Sequence, residues 1–356
     1  MKGFLKEYPL FISLITLGVF SIYEHTFSQS SMGNILGFLI LFAVIVYASL
    51  AVAHHAEMLA EKFGEPYGTL ILTMSAVTVE VMIIAIMMLH SHNPELARDT
   101  IYSAIMLDIN GLLGVAAIIG GLKFGEQPYN VDSSNSYLSM LLVAIGLSMV
   151  LPNLIDAKHL NEYMWFIVVV FVLLYVVFTK VQLKNHKYFF EYNSEEVLTD
   201  KSHEDNDING WYHTFLLAVY IGLIGLMSEI LAVFMDNNLE YLGLPLALGA
   251  VGVALISASP ELIVAFRAAL KNNMQTVINI ALGASLATIL LTVPSVIIIS
   301  YFAGLKLNLA ITPIQEALFG LTLLVSIVNF NDGETNVLEG SLHVILFIVF
   351  AFLLFI

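Results

Sequence analysis

Two glutamates stand inside long apolar stretches of this chain, at matching places in its two halves. Glu80 lies in the run from 66 to 89, and Glu261 lies in the run from 244 to 270. A carboxylate at the depth of a lipid bilayer costs roughly 2.5–3.5 kcal/mol on insertion scales, so such a residue usually marks an ion or proton pathway. A pair of them in corresponding positions indicates transport at the interface between two repeats.

Two facing carboxylates form a suitable site for a cation, because Ca²⁺ prefers oxygen ligands and needs compensation of its charge. When the cation leaves, the two negative charges repel each other in a medium of low dielectric constant, and the carboxylates then favour proton uptake. Cation and proton compete for the same oxygens, which is sufficient to couple their exchange. We predict that Glu80 and Glu261 bind both ions; the alternative at each position is a buried, protonated glutamate bonded to a neighbouring helix.

Polar residues near these acids extend the candidate site. Pro260 directly precedes Glu261, and a proline frees a backbone carbonyl about one turn earlier, which can line a cavity and coordinate a cation. Ser257 and Ser259 could add hydroxyl oxygens, or could equally bond to their own helix backbone. Asp108 lies within another apolar stretch, where an acid is expensive, so it could line the same cavity or pair with a polar neighbour.

A second pair of acids, Glu57 and Glu229, lies in the first apolar stretch of each half. We expect them to give protons access to the central carboxylates or to brace those carboxylates, with extension to the membrane surface as the alternative. His55 precedes Glu57, and a histidine titrates near neutral pH, so it could relay protons. The sequence HHAE lacks the HExxH spacing that places two histidines on one helical face, which argues against a metalloprotease.

Composition defines the class of protein. The chain has 356 residues, 59% hydrophobic and 12% charged, whereas soluble domains carry about 25% charged residues. These values predict an all-α polytopic protein embedded in a lipid bilayer. The net charge of −15 and the absence of cysteine argue against nucleic-acid binding and against thiolate metal sites. There is no phosphate-binding GxxxxGK[ST] motif and no TVGYG filter, so we predict neither an ATP-driven pump, nor an enzyme, nor a potassium channel, and no resident cofactor.

The apolar runs and their glycine and proline punctuation predict about eleven transmembrane helices. We divide the chain into four parts: an extra N-terminal helix (1–30), a first five-helix repeat (31–182), an acidic cytoplasmic linker (183–210) and a second five-helix repeat (211–356). An odd number of helices per repeat gives the two repeats opposite orientations, as in the inverted repeats of secondary transporters. Most lysines and arginines then fall on the side of the N-terminus, which predicts a cytoplasmic N-terminus and an external C-terminus.

Five segments resemble the ChaA-type branch of the cation/proton antiporters, within the calcium/cation exchanger superfamily. They are HHAEMLAEKFGEPYGTLILTMSAVTVE, RDTIYSAIM, SPELIVAFRAALKNNMQ, LGASLATILLTVP and DGETNVLEG. The resemblance implies two inverted five-helix repeats plus one first helix, and it implies that Glu80 and Glu261 bind the exchanged cation and proton. It also matches Ser103 to the serine of a Gly-Ser pair in broader relatives.

The chain departs from that pattern in front of both glutamates. Classical calcium exchangers have Gly-Asn there, whereas this chain has Ala76-Val77 and Ser257-Ala258. Both amide oxygens are missing, which suits a looser site that takes Ca²⁺ weakly, or Na⁺ and K⁺ as well.

We therefore predict an inner-membrane antiporter that exports Ca²⁺, and also Na⁺ or K⁺, in exchange for protons by alternating access. A monovalent Na⁺(K⁺)/H⁺ antiporter with little Ca²⁺ transport and a passive cation channel are the alternatives. The preferred cation, the stoichiometry, the oligomeric state, the resting conformation and a regulatory role for the acidic tract 191–207 stay open at this point.

Overall fold

The computed structural model describes residues 7–64, 67–91, 93, 95–182 and 209–355. Within these ranges the chain consists of apolar helices and one short pair of strands. Nine of the helices are long and apolar enough to cross a membrane by length and composition, and two further apolar helices are shorter. The predicted all-α architecture with eleven helices is therefore confirmed.

One helix precedes two sets of five. The extra helix is α1 (Tyr8–Ser28). The first set contains α2 (Ser31–Phe63), α3 (Tyr67–Ser91), α4 (Leu96–Phe124), α5 (Val131–Leu154) and α6 (Leu160–Lys180). The second set contains α7 (Gly210–Leu242), α8 (Ala247–Leu270), α9 (Met274–Phe302), α10 (Pro313–Asn329) and α11 (Val337–Leu353). Strand β1 (Gln127–Pro128) pairs antiparallel with β2 (Glu334–Thr335) and joins the two sets.

The two sets correspond in detail. Helices α2 and α7 have 33 residues each, and α4 and α9 have 29 residues each. Both α4 and α9 contain a π-helical segment, Leu107–Leu112 in the first and Thr288–Thr292 in the second. Glu80 precedes Leu107 by the same interval as Glu261 precedes Thr288. The duplication expected from the sequence is therefore visible in helix lengths and in the placement of an unusual backbone feature.

The proposed repeat boundaries stay a prediction, since the linker assigned to 183–210 lies almost wholly outside the described residues, and so does the acidic tract 191–207.

The long helices α2 and α7 both stop at glycine. Gly64 and Gly243 follow them with φ of 64° and 62°, a conformation that glycine adopts without steric cost. Side-chain caps set the starts: Ser30 accepts a hydrogen bond from the backbone of α2, and Asn209 does so for α7. These caps satisfy backbone donors that the first turn of a helix leaves free, so each of the two longest helices begins at a side-chain cap and ends at a glycine with positive φ.

Helices α2 and α7 pack closely against each other. A side chain at Gly37 would lie within 2.7 Å of the Phe234 ring, so a small residue is required at this crossing. Phe20 of α1 meets the same ring edge-on, at 5.5 Å between centroids. The extra helix therefore covers the α2–α7 pair, while α3, α4, α8 and α9 surround the centre of the molecule.

Candidate cation site

A cavity of about 450 Å³ lies between the two five-helix sets. Glu80 of α3, Asp108 of α4, Glu261 of α8 and Thr288 of α9 all border it. The two glutamates singled out in the sequence are therefore brought to one space, one from each set. A carboxylate-lined cavity at this depth is the arrangement expected for an ion pathway.

Glu80 is held by the opposite set. Its side chain is 6% exposed. The hydroxyl of Thr288 lies 3.0 Å from each carboxylate oxygen, and the hydroxyl of Thr292 lies 2.8 Å from Oε2. Both threonines belong to the π-helical segment of α9, where residues four apart are stacked on nearly the same face. The segment thus directs two hydroxyl donors at one carboxylate.

Glu261 has a different environment. It is half-buried, and it lines the cavity. No hydrogen bond reaches its carboxylate within the part of the chain that the structure describes. Its charge interacts with that of Glu80 and with that of Asp108, so Glu261 stands beside two other acids without a donor of its own.

Asp108 is the third acid of the cavity. It is 2% exposed, and its Oδ2 accepts a hydrogen bond of 3.2 Å from Ser285 of α9. Its Oδ1 has no hydrogen-bond partner among the residues that the structure describes. Since a buried carboxylate oxygen normally has a partner, this oxygen is available to a cation, a proton or a water molecule in the cavity.

Asp108 lies in the π-helical segment of α4, and the opposite face of that segment is bonded to α10 and α11. Asn110 donates to the hydroxyl of Thr322 at 2.9 Å, and Nδ1 of His343 lies 3.0 Å from Oδ1 of Asn110. All three side chains are fully buried. Glycines allow α4 and α11 to approach, because a side chain at Gly114 would meet the carbonyl oxygen of Gly340 at 3.0 Å. These contacts hold the segment that carries Asp108 on the side of α4 that faces away from the cavity.

Three secondary candidates lie near the cavity on α2 and α8. Glu57 lines it and is exposed, so a carboxylate stands at the accessible end. Ser257 also lines it, but its hydroxyl donates to carbonyl oxygens of its own helix, that of Ala254 at 3.1 Å. Ser259 donates to the carbonyl of Leu255. Of the two possibilities left open by the sequence, the serines adopt bonding to their own backbone.

Three others lie elsewhere. Glu229 is exposed on α7 and Ser103 is buried in α4, and neither is among the residues that line the cavity. His55 is buried away from it, with Nδ1 2.9 Å from Nδ1 of His213 and Nε2 3.5 Å from Oε2 of Glu7. This histidine therefore connects α1, α2 and α7 and does not contact the central carboxylates.

The sequence motifs do not identify Thr288, Thr292 and Ser285 as site residues. A signal was present, since LATILLTVP places two threonines four residues apart within an apolar span. Threonines in such spans often bond to their own helix, and only the packing of α9 against α3 directs these two at Glu80.

The cavity extends from the carboxylates toward one end of the bundle. Its outer lining includes Leu72 at the start of α3, Tyr137 at the start of α5 and Thr276 at the start of α9, together with Glu57 and Gln182 near the ends of α2 and α6. On the other side of Glu80, Ile83, Ile84 and Met87 of α3 are fully buried. Within the described residues, the cavity therefore opens toward the end of the bundle that Glu57 and Gln182 line.

A metal cage is not preformed in this arrangement. Within the described ranges, no three histidine, aspartate or glutamate side chains converge closely enough to hold a metal ion. The three acids border a common space, in which water and hydroxyl oxygens can complete the shell of a cation.

Comparisons with known proteins agree with this geometry. The model of the sodium/calcium exchanger protein family matches residues 33–184 and 212–356. The chain is 33% identical over 321 residues to the sodium-potassium/proton antiporter ChaA of Escherichia coli, covering 87% of this chain and 86% of that protein. It is 24% identical over 322 residues to the Ca²⁺/H⁺ antiporter ChaA of Bacillus subtilis, covering 88% and 91%.

Solved structures show the same fold. Native YfkE superimposes with a TM-score of 0.76 at 19% identity, covering 96% of this chain and 99% of that chain. The family match spans both five-helix sets and confirms the resemblance found in the sequence motifs. This chain belongs to the sodium/calcium exchanger protein family.

Proposed function

We propose that the protein is a secondary antiporter that exports Ca²⁺, and also Na⁺ or K⁺, in exchange for protons. The observation that carries the proposal is the cavity in which Glu80 and Glu261, one from each five-helix set, stand with Asp108, with no basic residue among the described residues that line it. The names of two relatives, a sodium-potassium/proton antiporter and a Ca²⁺/H⁺ antiporter, support it. Membership in a family of exchangers also supports the view that the chain is not an enzyme.

Exchange follows from competition for the same oxygens. A cation entering past Glu57 meets a cluster of carboxylates in a low-dielectric space, where attraction to it is strong. Departure of the cation leaves uncompensated like charges, and proton binding removes that repulsion. The empty, fully ionised site is the state of highest energy, so the protein moves between its two orientations with either cation or proton bound.

The donor set bears on cation preference. Ala76 and Val77 supply no side-chain oxygen in front of Glu80, and the hydroxyl of Ser257 is engaged with its own helix. Neutral ligands directly in front of the two glutamates in the sequence are therefore few, while three carboxylates are present. Charge favours Ca²⁺, and a shortage of neutral ligands weakens its binding relative to a full oxygen cage. A monovalent Na⁺(K⁺)/H⁺ antiporter with little Ca²⁺ transport is the second candidate, favoured by the relative at 33% identity.

Alternating access requires two bodies that move relative to each other. Helices α2 and α7 are the longest and pack along each other. Polar contacts join them near both ends, His55 with His213 at one end and Asn34 with Asn237 at 3.3 Å at the other. We infer that this pair moves as a unit past α3, α4, α8 and α9 and exposes the carboxylates to each side in turn.

The proposed location is the inner membrane of the cell, with the N-terminus in the cytoplasm and the C-terminus outside. Apolar side chains on the outer face of α6, such as Phe166, Leu173 and Val176, are more than half exposed and suit contact with lipid. With this orientation the cavity opens to the cytoplasm, the side from which the cation is taken up.

Everted membrane vesicles with an imposed pH gradient test the proposal. Addition of Ca²⁺, Na⁺ or K⁺ to wild-type vesicles should collapse the gradient, and the ion effective at the lowest concentration is the preferred substrate. Vesicles carrying the Glu80→Gln/Glu261→Gln double variant are the control. Cation flux without proton movement would establish the passive channel instead, and no response to any of the three cations would overturn the proposal.

A further inference from the structure

We propose that the central cavity also binds amphipathic organic cations. The ligand is a quaternary ammonium or protonated amine whose charged head lies beside Glu261 and whose apolar body packs on aromatic side chains of α5 and α6. It occupies the path of the inorganic cation and competes with it at the face where the cavity opens. This inference rests on the proposed function, because it assigns a second class of ligand to the same carboxylates.

The cavity is larger than an inorganic cation requires. Ca²⁺ takes about six to eight oxygen ligands and a water molecule fills about 30 Å³, so a fully hydrated ion occupies roughly 180–240 Å³. The cavity measures about 450 Å³, and sites for small organic molecules typically measure about 300–1,000 Å³. The space beside a hydrated cation is therefore sufficient for the apolar body of an organic one.

Helices α5 and α6 contribute an aromatic wall, formed by Tyr137, Tyr175 and Phe178, which all line the cavity. The ring of Phe178 lies 5.7 Å from that of Tyr137 and 6.4 Å from that of Tyr175, measured between centroids. The three rings thus form one continuous surface, which Leu72 of α3 and Val264 of α8 extend. Aromatic rings attract organic cations and also bury apolar groups, so this wall suits a ligand that combines the two.

Small side chains leave room between this wall and the acids. Alanine or glycine stands at lining positions of α2, α8 and α9, namely Ala53, Ala56, Ala258, Gly283 and Ala284. A side chain at Gly283 would lie 3.4 Å from the hydroxyl oxygen of Tyr137, so the wall approaches α9 at this position. Ser285, the donor to Asp108, follows two residues later, which is about 3 Å along a helix. One small molecule can therefore contact both the wall and the acids.

The charge of the lining determines the sign of the ligand. Its acids are Glu57, Glu80, Asp108 and Glu261, and no lysine, arginine or histidine stands among the described residues that line it. Two threonines bond to Glu80, whereas no donor in the described part of the chain reaches Glu261. A quaternary ammonium group donates no hydrogen bond and is held by charge and by aromatic faces. Glu261 is therefore the carboxylate best placed to hold such a head.

Isothermal titration calorimetry of the purified full-length protein tests this binding without any transport. The probe is benzyltrimethylammonium. Tetramethylammonium has the same head without the body, and phenylmethanesulfonate has the same body with an anionic head. We expect the probe to bind about tenfold or more tightly than tetramethylammonium, the sulfonate not to bind, and added Ca²⁺ to raise the apparent Kd of the probe. No binding of the probe, equal binding of the sulfonate, or a Kd that Ca²⁺ leaves unchanged would overturn the inference.

Two substitutions on one helix locate the probe. Phe178→Ala removes part of the aromatic wall, so the probe should bind about tenfold more weakly, or about 1.4 kcal/mol. Phe178→Leu keeps an apolar side chain without the ring and should also weaken binding, which covers the case that the alanine variant does not fold. Phe166→Ala is the matched control, because Phe166 lies on the outer face of α6 and is 58% exposed, and it should leave binding unchanged. Equal effects at Phe178 and Phe166 would place the probe outside this cavity and contradict the inference.

Everted vesicles separate this inference from the proposed function. Benzyltrimethylammonium stays charged at every pH, so unlike an amine it does not dissipate a pH gradient by crossing the bilayer as a neutral base. Added at the cytoplasmic face, it should raise the half-saturating concentration of the exchanged cation and leave the maximal rate unchanged. Exchange that the probe does not inhibit would reject the inference and leave the antiporter proposal standing. Calorimetric binding to a protein that exchanges none of the three cations would reject the antiporter proposal and leave the organic-cation site standing.

Discussion

The hydroxyl of Thr292 in the second five-helix set lies 2.8 Å from the carboxylate of Glu80 in the first. This bond crosses the interface between the repeats and belongs to the candidate site itself. It means that the geometry of Glu80 depends on how the two sets are packed, and that a rearrangement between them changes the cation site directly.

Neutralising either central glutamate should abolish exchange. We expect Glu80→Gln and Glu261→Gln to yield folded protein, because an amide matches a carboxyl group in shape, but to lose cation-dependent collapse of the pH gradient. Vesicle flux, with size-exclusion chromatography as the test of folding, measures this. Retained exchange in either folded variant would remove that residue from the site.

Removing the single hydroxyl of Thr292 should weaken cation binding without abolishing it. A hydrogen bond to a charged group contributes about 1.5–3 kcal/mol, so we expect Thr292→Val to lower the apparent cation affinity roughly tenfold or more. Thr292→Ser, which retains the hydroxyl, is the matched control and should stay near the wild-type value. Equal losses in the valine and serine variants would show that packing, and not the donor, matters at this position.

The helices and the two central glutamates could be predicted from the sequence, but several of the residues that form hydrogen bonds in and around the site could not. Long apolar runs determine the spans, and an acid within such a run stands out by its cost. A hydroxyl in a helix has two uses, bonding to its own backbone or to a neighbour: Ser257 adopts the first and Thr292 adopts the second. That choice depends on tertiary packing. The contact of His55 with His213 likewise joins residues 158 positions apart, which no local pattern reports.

Cation affinity should increase with pH. At low pH protons on the central carboxylates exclude the cation. As the pH rises those protons are lost, and the half-saturating cation concentration should fall and then level off once the carboxylates are ionised. Asp108→Asn removes a negative charge beside Glu261, which weakens proton binding there. The fall in the half-saturating cation concentration should therefore occur at lower pH in this variant than in the wild type. Cation binding to purified protein across a pH series measures both. A half-saturating concentration independent of pH would contradict direct competition.

Neutralising Glu57 and neutralising Glu229 should have different effects at the membrane face where the cavity opens. Glu57 lines the accessible cavity, whereas Glu229 does not. We expect Glu57→Gln to raise the half-saturating cation concentration at the face where the cavity opens. The effect should be strongest at low ionic strength, because salt screens the attraction between an exposed carboxylate and cations in solution. Glu229→Gln makes the same change of charge on the other repeat and serves as the control.

Initial rates in everted vesicles, which present the cytoplasmic face, distinguish the two. Equal effects of Glu57→Gln and Glu229→Gln at this face would mean that cavity lining does not determine the entry of the cation.

The buried contacts behind Asp108 should matter for stability more than for ion choice. Asn110 bonds to both Thr322 and His343, all three being fully buried. Asn110→Leu leaves Nδ1 of His343 without its partner and leaves the Thr322 hydroxyl with only a weak contact to Met106 Sδ at 3.9 Å. A buried polar group that loses its partner costs about 1–3 kcal/mol, so we expect a clear fall in Tm. The order of preference among Ca²⁺, Na⁺ and K⁺ should remain, since none of these three side chains lines the cavity.

Ser326→Ala is a matched control for this change. Ser326 is also fully buried on α10, but its hydroxyl donates to the carbonyl of Thr322 in its own helix at 2.8 Å. Removing it breaks no contact between helices, and the carbonyl keeps its backbone bond, so its Tm should fall far less than that of Asn110→Leu. If the two variants lost equal stability, the bonds from α4 to α10 and α11 would contribute nothing beyond the burial of the side chains. If Asn110→Leu instead reversed the cation preference, the π-helical segment would transmit changes from its buried face to Asp108, and its two faces would have to be treated as one functional unit.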